Sequence, residues 1–205
     1  MNMKQGGAMK KQFIVCMLIA FLVVPLSAYA GAPLESVKER VNEVLNVLKD
    51  RSFKGASGEK AKKEKIRSIS EKMFDYNELS RRTLAQNWRK FSPEQQKEFI
   101  ELYKSILEDA YVDKIVSYTD EKVTFNKEMP LTEKTAEVQT TIVTRKADIP
   151  INYRVILRNG AWRVYDVVIE GVSLVSNYRT QFREILSNKT PAALLDTLRK
   201  KVGKA

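Results

Sequence analysis

The stretch NGAWRVYDVVIEG, residues 159–171, decides the fold. Asn159-Gly160 supplies the two positive-φ residues of a tight hairpin turn. The strand that follows, Trp162 to Ile169, is apolar on both faces, since Trp162, Val164 and Val168 alternate with Tyr165, Val167 and Ile169. A strand of this kind must be covered on both sides. Upstream, Ile149, Ile151, Tyr153, Val155 and Leu157 mark one face of a partner strand, and Ala136, Val138, Thr140 and Ile142 one face of another. Val123 and Phe125 indicate a short strand before them. Beyond Gly171 the period becomes helical through Leu174, Val175, Tyr178, Phe182, Ile185 and Leu186, and Thr190-Pro191 opens a last helix with Leu194, Leu195 and Leu198.

Upstream of the sheet the pattern is helical. Leu34, Val37, Val41, Val44, Leu45 and Leu48 form one amphipathic stripe ending near Asp50, and Arg51 to Gly58 breaks it. The lysine-rich stretch from Glu59 to Lys72 keeps only Ile66, Ile69 and Met73 as anchors and reads as a helix lying across the surface. Asp75 with Glu78 has the form of a capping box. Ser92-Pro93-Glu94-Gln95 is a stronger helix start, followed by an aromatic-rich stripe from Phe99 to Ile115. Helices over 33–118, an antiparallel meander over 122–170 and helices over 174–201 predict an α+β domain, with helices packed on a curved sheet of about four strands.

The first thirty residues have the zones of a cleavable export signal: Lys4, Lys10 and Lys11, an apolar run from Phe13 to Val24, then Ser27-Ala28-Tyr29-Ala30. Cleavage is expected after Ala30, leaving one domain over 31–205, and Met9 is a second plausible start. The apolar run is shorter than the roughly twenty residues that span a bilayer. The single cysteine, Cys16, lies inside that run rather than behind a small residue at its end, so it departs with the leader. The mature chain then contains neither cysteine nor histidine. That excludes disulfides, thiolate chemistry, histidine bases and histidine-containing zinc sites. The formal charge is +11; the leader's three lysines account for three of it, leaving +8. Outside the cytoplasm such a surplus meets anionic membranes or acidic proteins rather than nucleic acid, unless it serves solubility alone.

Aromatic residues concentrate at Trp88 and Phe91, from Phe99 to Tyr111, and from Tyr153 to Phe182. They either fill an ordinary core or line a cavity for an apolar ligand, and periodicity does not separate the two. Asp166, inside the doubly apolar strand, and Glu170, near its end, are candidates for a base with a raised pKa, as in steroid-isomerising enzymes on cone-shaped folds. The structural alternative has Asp166 accepting hydrogen bonds from backbone or from Arg81 or Arg82. There is no phosphate-cradling loop and no metal-ligand motif.

The segments Phe74-Asp75, Trp88 and Phe91-Ser92-Pro93-Glu94-Gln95-Gln96 with Phe99 resemble the MlaC family, also called the toluene-tolerance auxiliary family. The more specific block is Trp162-Arg163-Val164-Tyr165-Asp166-Val167, continuing through Ile169-Glu170-Gly171-Val172-Ser173-Leu174 to Asn177-Tyr178-Arg179 and Gln181-Phe182. The long lysine-rich stretch Lys54 to Lys65 departs from the family pattern. The resemblance implies an NTF2-like sheet around a deep apolar cavity that holds the acyl chains of a glycerophospholipid. It implies a periplasmic, non-catalytic carrier without cofactor or metal, monomeric, serving an outer-membrane lipoprotein complex and an inner-membrane ABC transporter with an MCE-domain subunit. On that basis the expected cavity residues are Trp88, Tyr103, Leu107, Tyr111, Ile142, Tyr153, Val155, Trp162, Val164, Val167, Ile169 and Val172. Lysines and arginines near the mouth, Arg154 or Arg179 among them, are either partners for phosphate or simply surface charges.

Overall fold

In a computed structural model of the chain, residues 32–118 and 121–203 are described. The expected export leader and its expected cleavage point lie outside them. Helices α1 (Pro33–Lys49), α2 (Gly55–Met73), α3 (Tyr76–Leu84) and α4 (Pro93–Val116) precede the sheet, with a 3-10 turn over Ala85–Lys90. Strands β1 (Lys122–Thr132), β2 (Thr135–Val143), β3 (Asp148–Arg158), β4 (Ala161–Ile169) and β5 (Val172–Ser173) follow, then α5 (Leu174–Asn188) and α6 (Pro191–Lys201). The strands pair antiparallel in chain order as a simple meander. This is the expected α+β class, with a fifth, two-residue strand added and a first strand of 11 residues instead of a short one.

The local signals act mostly as their chemistry requires. Ser92 accepts from the Gln95 backbone N–H while the Gln95 side chain accepts from the Ser92 N–H, a complete capping box at the start of α4. At α3 only half of the expected box forms. The Asp75 carboxylate accepts from the Glu78 N–H at 2.8 Å, but the Asp75 N–H donates to the Val164 carbonyl of β4, also at 2.8 Å. The α2–α3 junction is thereby fastened to the sheet. Asn159 and Gly160 have φ of 51° and 76°, the conformation the tight turn needs. Glu170 and Gly171, at 48° and 83°, make a second such turn into β5. Gly171 therefore closes a small hairpin before α5 begins, rather than leading from strand directly into helix.

The doubly apolar strand is explained by a bulge. Val155 pairs with Val164 and Arg154 with Asp166, so Tyr165 is the extra residue. Before it Trp162 and Val164, and after it Val167 and Ile169, all join one apolar cluster with Val37, Val41, Ala136, Val138 and Val155. Strict alternation would have sent Val164 and Val167 to opposite faces. Tyr165 and Asp166 occupy the other side, where the Tyr165 ring lies 4.0 Å beneath the Arg82 guanidinium.

A second cluster joins α3 to α6. Phe99 and Tyr103 of α4 are fully buried at its centre against Tyr178 and Phe182 of α5. A third, small cluster holds Val47, Ile66, Ile69 and Val112, and docks the basic helix α2 on α1 and α4 through the anchors its sequence singles out.

Candidate functional site

Helices α1, α2 and α4 stand over one face of the sheet without filling the space between. A pocket of about 410 Å³, partly open to solvent, remains there. Its helical wall consists of Val41, Val44, Leu45 and Leu48 of α1, Ile66, Ile69 and Met73 of α2, and Leu107, Tyr111, Val112 and Ile115 of α4. Its floor is Val123, Ile142, Ile149, Ile151, Tyr153, Val167 and Ile169 from four strands. Phe74 and Tyr76, stacked with ring centroids 5.5 Å apart, close the α2–α3 side. The volume lies in the range of small-ligand sites, about 300–1,000 Å³, and the lining has their composition: mainly apolar, with few polar groups.

Those polar groups are specific. Ser70 donates to the Glu108 carboxylate at 3.0 Å, and Tyr76 reaches the same oxygen at 3.4 Å. Burial raises the Glu108 pKa, against the opposing pull of Ser70, Lys104 and Arg67. Tyr153 contributes a hydroxyl without a hydrogen-bond partner among the described residues, and burial pushes its pKa up to about 12. The Tyr153 phenol therefore stays neutral at ordinary pH. Lys49, Lys114, Glu121 and Glu170 also line it.

Of the twelve residues expected from the sequence, Leu107, Tyr111, Ile142, Tyr153, Val167 and Ile169 come together on this pocket. The other six do not. Tyr103 is packed into the aromatic centre of the helical cluster, and Trp88, in the 3-10 turn, packs against that cluster's edge. Val155 and Val164 are consumed by direct packing between sheet and helices, with Trp162 beside them. Val172 is 56% exposed on β5. Conversely, the α1 and α2 contributions were not anticipated. For α1 the one hint is the width of the apolar stripe from Val37 to Leu48, which does not itself say whether the stripe meets a neighbour or a gap; for α2 the three anchors Ile66, Ile69 and Met73 carry no such hint.

The two carboxylates considered as bases are placed differently. Asp166 is 2% exposed, on the sheet face opposite the pocket. It accepts from the Val175 N–H at 3.0 Å, Ser173 Oγ at 2.7 Å and Arg154 Nη1 at 3.2 Å. Its arginine is thus Arg154 from the adjacent strand; Arg81 and Arg82 bind Glu78 instead. Glu170 is exposed at the β4–β5 turn. Asp166 therefore joins β3 to the start of α5, and Asp166→Asn is expected to cost about 2 kcal/mol. Chemical denaturation checks this; an unchanged midpoint would remove the tethering role. Among the described residues no group of three or more His, Cys, Asp or Glu is placed to hold a metal ion, and no helix is long and apolar enough to cross a membrane.

An antiparallel meander with helices over both faces and an apolar pocket on one of them defines the class, an α+β protein. The chain belongs to the MlaC family: the family's sequence model, described as MlaC protein, matches residues 38–200. It is similar to the toluene tolerance protein ttg2D of Pseudomonas putida, 23% identical over 175 residues that cover 84% of this chain and 80% of the relative. In fold it is similar to a phospholipid-binding protein from Ralstonia solanacearum, solved in complex with a phospholipid. The TM-score is 0.75 at 20% identity, covering 85% of this chain and 98% of the other.

Proposed function

We propose that the protein is a periplasmic carrier that holds a glycerophospholipid by its acyl chains in the pocket between α1, α2, α4 and the sheet. On this reading it carries the lipid between an outer-membrane lipoprotein complex and an inner-membrane ABC transporter with an MCE-domain subunit, maintaining outer-membrane lipid asymmetry. The observation that carries this reading is the pocket wall, apolar from all three helices and four strands. Family membership and the fold shared with a phospholipid-bound protein support it, and the leader-like pattern of the first thirty residues supports the compartment.

The physical need is large. A phospholipid with about thirty chain methylenes, at ~0.8 kcal/mol each, faces on the order of 24 kcal/mol to enter water. A barrier of that height corresponds to on the order of a day per attempt. Replacing water by Leu, Ile and Val side chains around the chains removes most of it, with no catalytic group involved. The carrier works as a monomer without cofactor.

Native mass spectrometry of protein purified from cells should show a bound species of phospholipid mass. A bare chain that also fails to take up phospholipid from vesicles refutes the proposal. Filling the pocket separates binding from folding. Ile142→Trp should weaken uptake of a fluorescent phospholipid by about tenfold or more, equivalent to ~1.4 kcal/mol, while Val172→Trp, on the exposed β5, should leave it unchanged. Equal uptake by both variants would place the lipid elsewhere.

A further inference from the structure

On the opposite face of the sheet lies a second recess, of about 290 Å³, with polar walls. Arg82 of α3, Arg154 of β3 and Arg179 of α5 line it, with Glu137, Tyr165 and Asp166. Arg154 and Arg179 are the residues the sequence suggested for phosphate at the apolar pocket; the structure places both here instead, with the sheet between.

Each guanidinium is held in place. Arg82 is stacked on the Tyr165 ring and donates from Nε to Glu78 at 2.7 Å. Arg154 donates to Glu137 and Asp166 at 3.1 and 3.2 Å. Arg179 donates from Nε and Nη2 to the Arg82 backbone carbonyl, at 3.1 and 2.7 Å. A guanidinium carries five N–H donors, so these bonds leave most of them unused on every one of the three. The acids present are already engaged: Asp166 also accepts from Ser173 and the Val175 N–H, and Glu137 from Gln139 and Asn152. Arg179 forms no ion pair with a carboxylate among the described residues. It is a fixed cation whose only bonded acceptor among the described residues is a neutral carbonyl.

We infer that this recess is an anion site for a phosphate group, separate from the lipid pocket. Three guanidinium groups approaching from α3, β3 and α5 suit an acceptor with oxygens in several directions. A lone carboxylate is served by one bidentate arginine. The phosphate can belong to a free monoester or to an exposed lipid headgroup, and the chemistry of recognition is the same.

The test is a titration of the full mature chain with inorganic phosphate, glycerol 3-phosphate and acetate at fixed ionic strength, read as the shift in melting temperature and as ³¹P line broadening. Saturable stabilisation by inorganic phosphate and not by acetate is expected, with affinity at least about tenfold weaker in Arg179→Gln. Stronger saturation by the deacylated headgroup diester glycerophosphoglycerol, titrated alongside, would assign the site to a lipid headgroup, whereas saturation by inorganic phosphate and glycerol 3-phosphate without it assigns the site to free phosphate. Because Arg179 lies outside the apolar pocket, Arg179→Gln should still carry lipid in native mass spectra, so failure here is distinguishable from failure of the carrier reading. Arg179→Lys, which keeps the charge and loses the fork, should fall between wild type and Arg179→Gln and guards against misfolding. Absence of saturation in the wild-type chain, or equal affinity in the folded variants, overturns the inference.

Discussion

Phe99→Ala should lower the stability of the folded chain by about 4 kcal/mol, at the upper end for a large-to-small change in a closed core. Phe99 is fully buried, and its ring meets Phe91 at 5.9 Å, Tyr103 at 5.5 Å and Phe182 at 5.5 Å. The contacts span the turn before α4, α4 itself and α5, so no single element can move to fill the hole. With a urea slope of about 2 kcal/mol/M, the unfolding midpoint should drop by roughly 2 M. Phe99→Leu should recover about half of the loss. A drop below about 0.5 M for Phe99→Ala would mean that the helical cluster collapses around the void. The same helix supplies Leu107 and Tyr111 to the pocket one and two turns beyond Tyr103. Lipid uptake by the variant, measured well below its melting temperature, reports whether the packed end of α4 is needed to hold the open end in position.

Acid should destabilise the protein through Glu78. The side chain is 1% exposed, yet it accepts from Arg81, Arg82 and Arg158 at 2.7 to 3.0 Å, joining α3 to β3. Burial by itself raises the pKa of Glu78. The hydrogen bonds from the three guanidinium groups outweigh it and bring the pKa down to about 2, from an ordinary 4.5. Because the folded pKa is the lower one, the unfolded chain binds more protons between these values. The stabilisation is therefore complete above pH 4.5 and is lost as pH falls toward 2. At ~1.4 kcal/mol per unit it amounts to about 3 kcal/mol. Glu78→Gln should cost a similar amount at pH 7 and flatten the pH dependence of stability in that window. A variant whose acid limb still matches wild type would shift the effect to other carboxylates.

Much of the fold can be read locally. Ser92 and Gln95 cap α4 because both partners sit within one turn, and Asn159-Gly160 turns the chain because its backbone conformation is intrinsic. The Asp75–Glu78 box forms only by half because the Val164 carbonyl, distant in sequence, takes the Asp75 N–H. The Tyr165 bulge is equally non-local: it exists only in relation to Arg154 and Val155 across the ladder. The pocket was half legible for the same reason. Alternation assigns Tyr153 and Val155 to one face of β3, but it does not reveal that Val155 meets packed side chains while Tyr153 meets open space. Helix α1 reads as amphipathic and α2 as a surface helix with three anchors, yet nothing in their period states that the apolar side faces a gap.

One long edge of the sheet is β1, which pairs only with β2. Its register is irregular between Phe125 and Lys127 and again between Pro130 and Thr132, and Lys122, Lys127 and Pro130 stand along it. Lysines, a proline and interrupted pleating leave no straight run of free amides and carbonyls for another copy to extend. A crowded population of such molecules has no template for fibril growth along that border. Straightening it with Lys127→Val and Pro130→Val would expose the protein to aggregation without touching anything in its core.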